Sequence, residues 1–110
     1  MFAENGGIIS CFSAYTINGA ASGHFTTQKS GIIDLFGYTV TLSGSLNFST
    51  AFAIAQTTGI VSAPSLTFTG GTITAQRYLA SEGGVITTNG GGANYFPGNS
   101  AGSATTGYYS

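Results

Sequence analysis

Charge is what this chain lacks most. Only Glu4, Lys29, Asp34, Arg77 and Glu82 are ionised among its 110 residues, which is 5% of the chain. An ordinary soluble domain carries roughly a quarter. Nucleic acid is excluded as a partner, because two basic residues cannot neutralise a run of phosphates. Tryptophan is absent, and cysteine and histidine occur once each. His24 alone supports no histidine metal site and no histidine relay. Ser22, two residues before it, does not make a catalytic triad, so His24 reads as a surface or interface residue. The unpaired Cys11 reads as a small buried hydrophobe. Long apolar runs are missing too. Nothing approaches 18 consecutive apolar residues, so no membrane-spanning helix and no membrane partner are expected. The opening "MFAENGGIISCFSAY" has no basic residue and no clean apolar stretch, unlike a signal peptide.

These absences bear on catalysis. Enzymes need titratable groups that work together, and Asp34 with Glu82 is the one carboxylate pair that could act on a glycoside. No tryptophan is present to stack on a sugar. "GGG" at 90–92 lacks the strand, helix and lysine that make a phosphate loop. The chain is therefore expected to be no enzyme, with no catalytic residues, no metal and no cofactor.

What the chain does have is glycine, 18 residues of it, threaded through strand-like alternation. "GYTVTLSGSLNFS" (37–49) alternates Val40, Leu42, Leu46 and Phe48 with Thr, Ser and Asn, a half-buried strand pattern. Gly44 keeps the phase and marks a bulge or a tight hairpin. "SLTFTGGTITAQRYLA" (65–80) changes phase at Gly70-Gly71, where a hairpin turn is expected. A short strand at 84–88 precedes a turn at Asn89-Gly90, and Pro97-Gly98 suits a type II turn. "GGIISCFSAYTI" (6–17) and "GHFTTQKSGIIDLF" (23–36) read as less regular strands. "FSTAFAIAQTTG" (48–59) competes for helix, with Ser49 or Thr50 as N-cap and Gly59 as stop. The same residues also alternate as a strand, and a short helix at 49–58 is the favoured reading.

Glycine followed by an apolar β-branched pair recurs at 31–33, 59–61, 71–73 and 84–86, the last three about 13 residues apart, as repeat units of a solenoid would be. The fold class is all-β, an antiparallel meander or sandwich or a short β-solenoid, with that one possible helix. Two regions are expected, 1–45 and 46–110. The triplets "TVT" (39–41), "TFT" (67–69) and "TIT" (72–74) set paired hydroxyls on one sheet face, as ice-binding solenoids do. Their irregular intervals favour threonine's strand preference as the explanation.

A monomer of this size leaves roughly 35–40% of its chain surface in water, and five charges cover that thinly. The apolar remainder points to self-association. The closing "GGGANYFPGNSAGSATTGYYS" (90–110) carries four rings and no charge. Tyr95, Phe96, Tyr108 and Tyr109, with Phe52, are the candidate subunit interface of a homo-oligomer of intertwined chains. Arg77 and Glu82 are the candidate ion pair, across a turn or between subunits.

The second half of the chain, roughly 48–110, carries a recognisable set of positions. They are Phe48 with Ala51-Phe52-Ala53, Phe68 with Gly70, Arg77-Tyr78, Ile86 with Thr88-Asn89-Gly90, Tyr95 with Pro97-Gly98, and Gly102 with Gly107-Tyr108. In these it resembles the C-terminal region of small proteins encoded among structural genes of bacteriophages and prophages, notably of alphaproteobacteria. The resemblance implies a virion component, a tail fibre, spike or capsid decoration, assembled in the bacterial host cytoplasm. It implies a homotrimer docked on other virion proteins. A host-surface glycan-binding fibre tip and a self-polymerising tube or filament are the alternative expectations.

Overall fold

A computed structural model describes residues 1–110 and contains strands but no helix. The strands are β1 (Phe2–Ala3), β2 (Ile8–Cys11), β3 (Tyr15–Ile17), β4 (Phe25–Thr27), β5 (Ile32–Leu35), β6 (Thr39–Ala55), β7 (Ile60–Ser62), β8 (Thr67–Ala80), β9 (Val85–Thr87) and β10 (Tyr108–Tyr109). Every pairing among them is parallel. The first sheet runs β1-β4-β6-β3 with β8 also on β6, and the second runs β10-β9-β7-β5-β2. Parallel neighbours cannot be joined by a two-residue hairpin. The chain instead winds round, adding a strand to each sheet per circuit. Of the expected alternatives, the short β-solenoid is the one found, and no antiparallel pair occurs.

The winding has a sequence cause. Five segments share one pattern: "AENGGIIS" (3–10), "TQKSGIID" (27–34), "AQTTGIVS" (55–62), "ASEGGVIT" (80–87) and "SATTGYYS" (103–110). Their glycines, Gly7, Gly31, Gly59, Gly84 and Gly107, fall roughly 25 residues apart, the length of a solenoid repeat. The expected 13-residue rhythm is corrected accordingly, since "GTI" (71–73) lies inside β8 and belongs to no such corner.

In the first four segments two consecutive residues before that glycine have positive φ: Asn5-Gly6, Lys29-Ser30, Thr57-Thr58 and Glu82-Gly83. The glycine N–H then bonds the carbonyl three residues back, as in Gly31 to Gln28 and Gly59 to Gln56 at 2.9 and 3.0 Å. That combination is the type I′ turn. The strain of positive φ at non-glycine residues is offset by bonds between stacked turns. Ser30 N–H reaches the Thr57 carbonyl at 3.3 Å and Thr58 N–H the Glu82 carbonyl at 3.1 Å. The glycine itself is required by closeness: a Cβ on Gly59 would lie 2.7 Å from the carbonyl carbon of Thr27 in the coil before.

Register aligns like with like along the axis. Ile9, Ile33, Val61, Ile86 and Tyr109 stack as the inward row of the second sheet. Ala3, Thr27, Ala55 and Ala80 form a narrow inward row of the first. Phe25, Phe52 and Phe96 are fully buried between the sheets, with Phe48 and Phe68 against them. One core cluster runs from Ala3 to Phe96. The expected division at 45/46 falls within β6.

The expected helix at 49–58 is strand up to Ala55, followed by the turn at Thr57-Thr58. Alanine's helix preference is overridden because Ala51–Ala55 are all buried between coils, with Ala53 flanked by Phe25 and Tyr78. Small side chains suit that slot. No hairpin forms at Gly70-Gly71 either. The register of β6 on β8 shifts between Leu42 and Ser45, where Gly44 and Gly70 have φ of 80° and 100°, so both strands bend round a corner through a bulge. Asn89-Gly90 turns with positive φ at both residues but leads to no antiparallel strand. Gly98, at φ 159°, is near-extended rather than at the roughly +80° of a type II turn.

Candidate association surfaces

The aromatic tail is spent mostly inside its own chain. Phe96 is 0% exposed and lies 6.0 Å, centroid to centroid, from both Phe52 and Phe68. Tyr95 donates its hydroxyl to the Ala63 carbonyl and accepts from the Leu66 N–H. Tyr109 stacks on Tyr78 and donates to the Gly92 carbonyl at 2.7 Å. Burial pushes both the Tyr95 and Tyr109 phenols above their ordinary range. Phe52, also 0% exposed, sits amid Phe25, Phe48 and Phe68. Of the five sequence-expected interface residues, Tyr108 alone is exposed, and Phe52 and Phe96 have no surface to offer a neighbour. The physical reason is the open end of the fourth coil, which the tail closes. Backbone bonds tie it down: Arg77 N–H to Ser100, Ala80 N–H to Ser103 and Thr88 N–H to Ser110.

Arg77 and Glu82 do not pair within the chain. Arg77 donates Nη1 to the Phe96 carbonyl at 2.9 Å, which anchors the cap, and Glu82 accepts from the Thr57 hydroxyl at 2.6 Å. The one ion pair joins Lys29 to Glu4 at 3.8 Å. Glu4, Lys29 and Glu82 all lie on the ridge of stacked type I′ turns. Gln28 bridges from that ridge to Glu4 at 2.8 Å. Exposed pairs of this kind contribute under about 1 kcal/mol. The ridge is the solvated edge of the molecule.

His24 is half-buried rather than on the surface. Its Nε2 lies 2.6 Å from the Tyr15 hydroxyl, and its ring packs on Phe25 and Phe52. Burial, with the Met1 amine nearby, lowers its pKa to about 3, so the imidazole is neutral. Its partner is a phenol that burial pushes well above the usual tyrosine range. The neighbouring Tyr38 hydroxyl is buried without a hydrogen-bond partner. No group of three His, Cys, Asp or Glu side chains comes together, and no cavity opens into the molecule. This cluster packs the first two coils.

The outer face of the second sheet is different. Ile8, Ile32, Ile60, Val85 and Tyr108 stand in register, one per coil, on the side opposite the buried row. Ile8 is 66% and Tyr108 58% exposed. Ser10, Asp34, Ser62, Thr87 and Ser110 form a polar row beside them. Beyond it, Phe12 and Phe36 follow the paired Cys11 and Leu35 and are 70% and 63% exposed. Four of the five exposed large hydrophobic residues thus belong to one face. The fifth, Phe2, lies on β1 in the other sheet.

The threonine triplets also fall into register. Thr39 and Thr41 pair with Thr67 and Thr69, and Thr16 pairs with Thr41. "TIT" (72–74) pairs instead with "SLN" (45–47). Intervals that look irregular in the sequence become level rows because coil lengths differ.

No protein-family model, no curated protein and no solved structure matches the chain.

Sequence reasoning marked Ile32, Ile60 and Val85 only as members of the glycine-led β-branched pairs, not as a surface, and did not single out Ile8, Phe12 or Phe36. The signal that finds them is the residue after the corner glycine in each segment, which register places on the outer face in every coil.

Proposed function

We propose that this chain is a non-enzymatic structural component of a phage particle, a fibre, spike or capsid decoration, acting by self-association and by docking on other virion proteins. The observation that carries the reading is the outward apolar row of the second sheet, continuous from first coil to last and bearing a single charge, Asp34, on its flank. Its ends, Ile8 and Tyr108, are exposed and Ile32, Ile60 and Val85 between them are half-buried; with exposed Phe12 and Phe36 alongside, they form the kind of apolar patch that marks a contact surface. A solenoid with all of its strands parallel and its polar turns on one ridge leaves flat faces free for neighbours. The resemblance of residues 48–110 to phage structural proteins supplies the setting, and the virion is the proposed location.

Two measurements test it. Native mass by light scattering, at two concentrations, is expected to give a stable oligomer with the homotrimer as the leading stoichiometry. A monomer at both concentrations overturns the reading. The chain is also expected in purified particles from a producing host, by mass spectrometry of the intact virion proteins. Its absence there, with an oligomer in solution, removes the phage setting and leaves self-association standing.

A further inference from the structure

The exposed apolar area on the second sheet tapers along the solenoid axis. In coils one and two the face carries apolar groups on both sides of its polar row, Ile8 with Phe12 and Ile32 with Phe36. In coils three and four the positions following Ala63 and Thr88 hold Pro64 and Asn89, and only the Ile60 and Val85 side stays strongly apolar. The wide end therefore lies at the first coils and the narrow end at the last.

We propose that this face takes a second copy of the chain, lying alongside and pointing the same way, coil level against coil level. The proposal rests on the self-association reading above and adds the surface and the orientation. The area suffices. Ile8, Phe12, Phe36 and Tyr108 are 66%, 70%, 63% and 58% exposed. Large apolar side chains of roughly 150–250 Å² each then leave about 500 Å² uncovered per copy. Two facing copies bury about 1,000 Å², where specific interfaces begin.

The taper decides the direction. Copies pointing the same way, related by rotation about an axis parallel to the solenoid, set Phe12 and Phe36 of one against Ile8 and Ile32 of the other, coil level by coil level, and the narrow ends against each other. Opposed copies would press those rings onto Thr87, Asn89 and Ser110 of the partner and leave much of the wide end in water. Asp34 opposes the same-way arrangement, since it meets its own copy at coil two. That carboxylate is half-exposed, so water and salt screen the repulsion, whereas Phe12 and Phe36 of each copy leave water against the partner's isoleucines. Same-direction copies also close into a ring about an axis parallel to the solenoid, which stops growth at a defined number.

Cysteine cross-linking tests the orientation with the whole chain. Ser10→Cys, in coil one, and Ser62→Cys, in coil three, are each placed in a Cys11→Ala background and mildly oxidised. Same-direction packing is expected to give disulfide-linked dimers from both variants. Cross-linking of Ser62→Cys alone signifies opposed copies meeting at their middles and overturns the orientation. An oligomeric mass with neither variant cross-linked assigns association to another surface and overturns the proposal. A monomeric mass removes the self-association reading itself. Phe36→Ser gives an independent check, because Phe36 is exposed and its loss leaves the core intact. It is expected to weaken association at least tenfold with an unchanged urea midpoint, and Asp34→Asn to tighten association several-fold. Unchanged association in Phe36→Ser overturns the proposal.

Discussion

Tyr109 lies flat on Tyr78, the ring centroids 3.7 Å apart and the planes within 3° of parallel. This contact joins the last coil to the one before it and holds the cap in place. Tyr109 also continues the inward row of Ile9, Ile33, Val61 and Ile86, so its ring covers aliphatic surface that would otherwise meet water. Tyr109→Ala is expected to cost roughly 3 kcal/mol, as large-to-small changes at packed aromatics do. Tyr108, its exposed neighbour, is expected to change stability by less than about 0.5 kcal/mol on replacement by alanine. Urea unfolding of the two variants distinguishes them, and equal losses would mean the stacked pair does not hold the cap.

The corner glycines predict a second asymmetry. Gly59→Ala places a methyl group 2.7 Å from the Thr27 carbonyl carbon and 2.8 Å from the Gln28 nitrogen. Both are backbone atoms tied into the neighbouring coil, so neither side can give way cheaply. A loss of roughly 3 kcal/mol or more is expected, at the upper end for overpacking. Gly19→Ala meets nothing within 4 Å and is expected to be neutral within about 0.5 kcal/mol. Equal thermal midpoints for the two variants would show that the coils can part to admit a side chain.

His24 makes stability depend on pH. Its pKa is lowered to about 3 in the fold, from 6.5 in an unperturbed chain, chiefly by burial. Between those values the unfolded chain binds a proton that the folded one refuses, so falling pH favours unfolding. The contribution is complete above about pH 6.5 and is lost as pH falls toward 3. Over pH 6.5 to 5, where ordinary carboxylates stay ionised, the urea midpoint is expected to drop in the natural chain. His24→Gln keeps a hydrogen-bonding partner for the Tyr15 hydroxyl, and its midpoint should be flat across that window. A flat profile in the natural chain would mean that His24 charges without disturbing its aromatic surroundings.

Much of the local structure is legible in the residues. The alternation at 37–49 becomes the first part of β6, and Gly44 is the bulge that its unbroken phase allowed. What the residues hide is the partner of each strand. The period-two pattern at 65–80 looks the same whether the neighbour runs parallel or antiparallel, and Gly70-Gly71 resembles a hairpin as much as a bend. The corner repeat is hidden for a different reason. Lys29-Ser30 and Thr57-Thr58 are poor left-handed residues, so they do not announce type I′ turns. Bonds between stacked turns hold them there, and those exist only once the coils are assembled. Among surfaces, the tail's rings drew attention by being aromatic, whereas Ile32 and Ile60 look like ordinary core residues until register turns them outward.

Those strained corners allow the fold to be improved from its own sequence. Thr58 sits at φ 59° with a β-branched side chain, while Gly6 and Gly83 occupy the same place in the first and fourth coils. The left-handed conformation costs an L-residue about 1–2 kcal/mol. Glycine removes that strain but adds roughly 0.5–1 kcal/mol of backbone entropy to be lost on folding. Thr58→Gly also gives up an exposed hydroxyl contact with Ser30 at 2.9 Å, which is solvated and worth little. The bond from the Thr58 N–H to the Glu82 carbonyl at 3.1 Å survives the substitution because it belongs to the backbone. The net expectation is a gain of about 0.5–1 kcal/mol, read as a raised urea midpoint with an unchanged slope. A loss of stability would mean that the Ser30–Thr58 contact, and not the backbone bond, holds the stacked turns together.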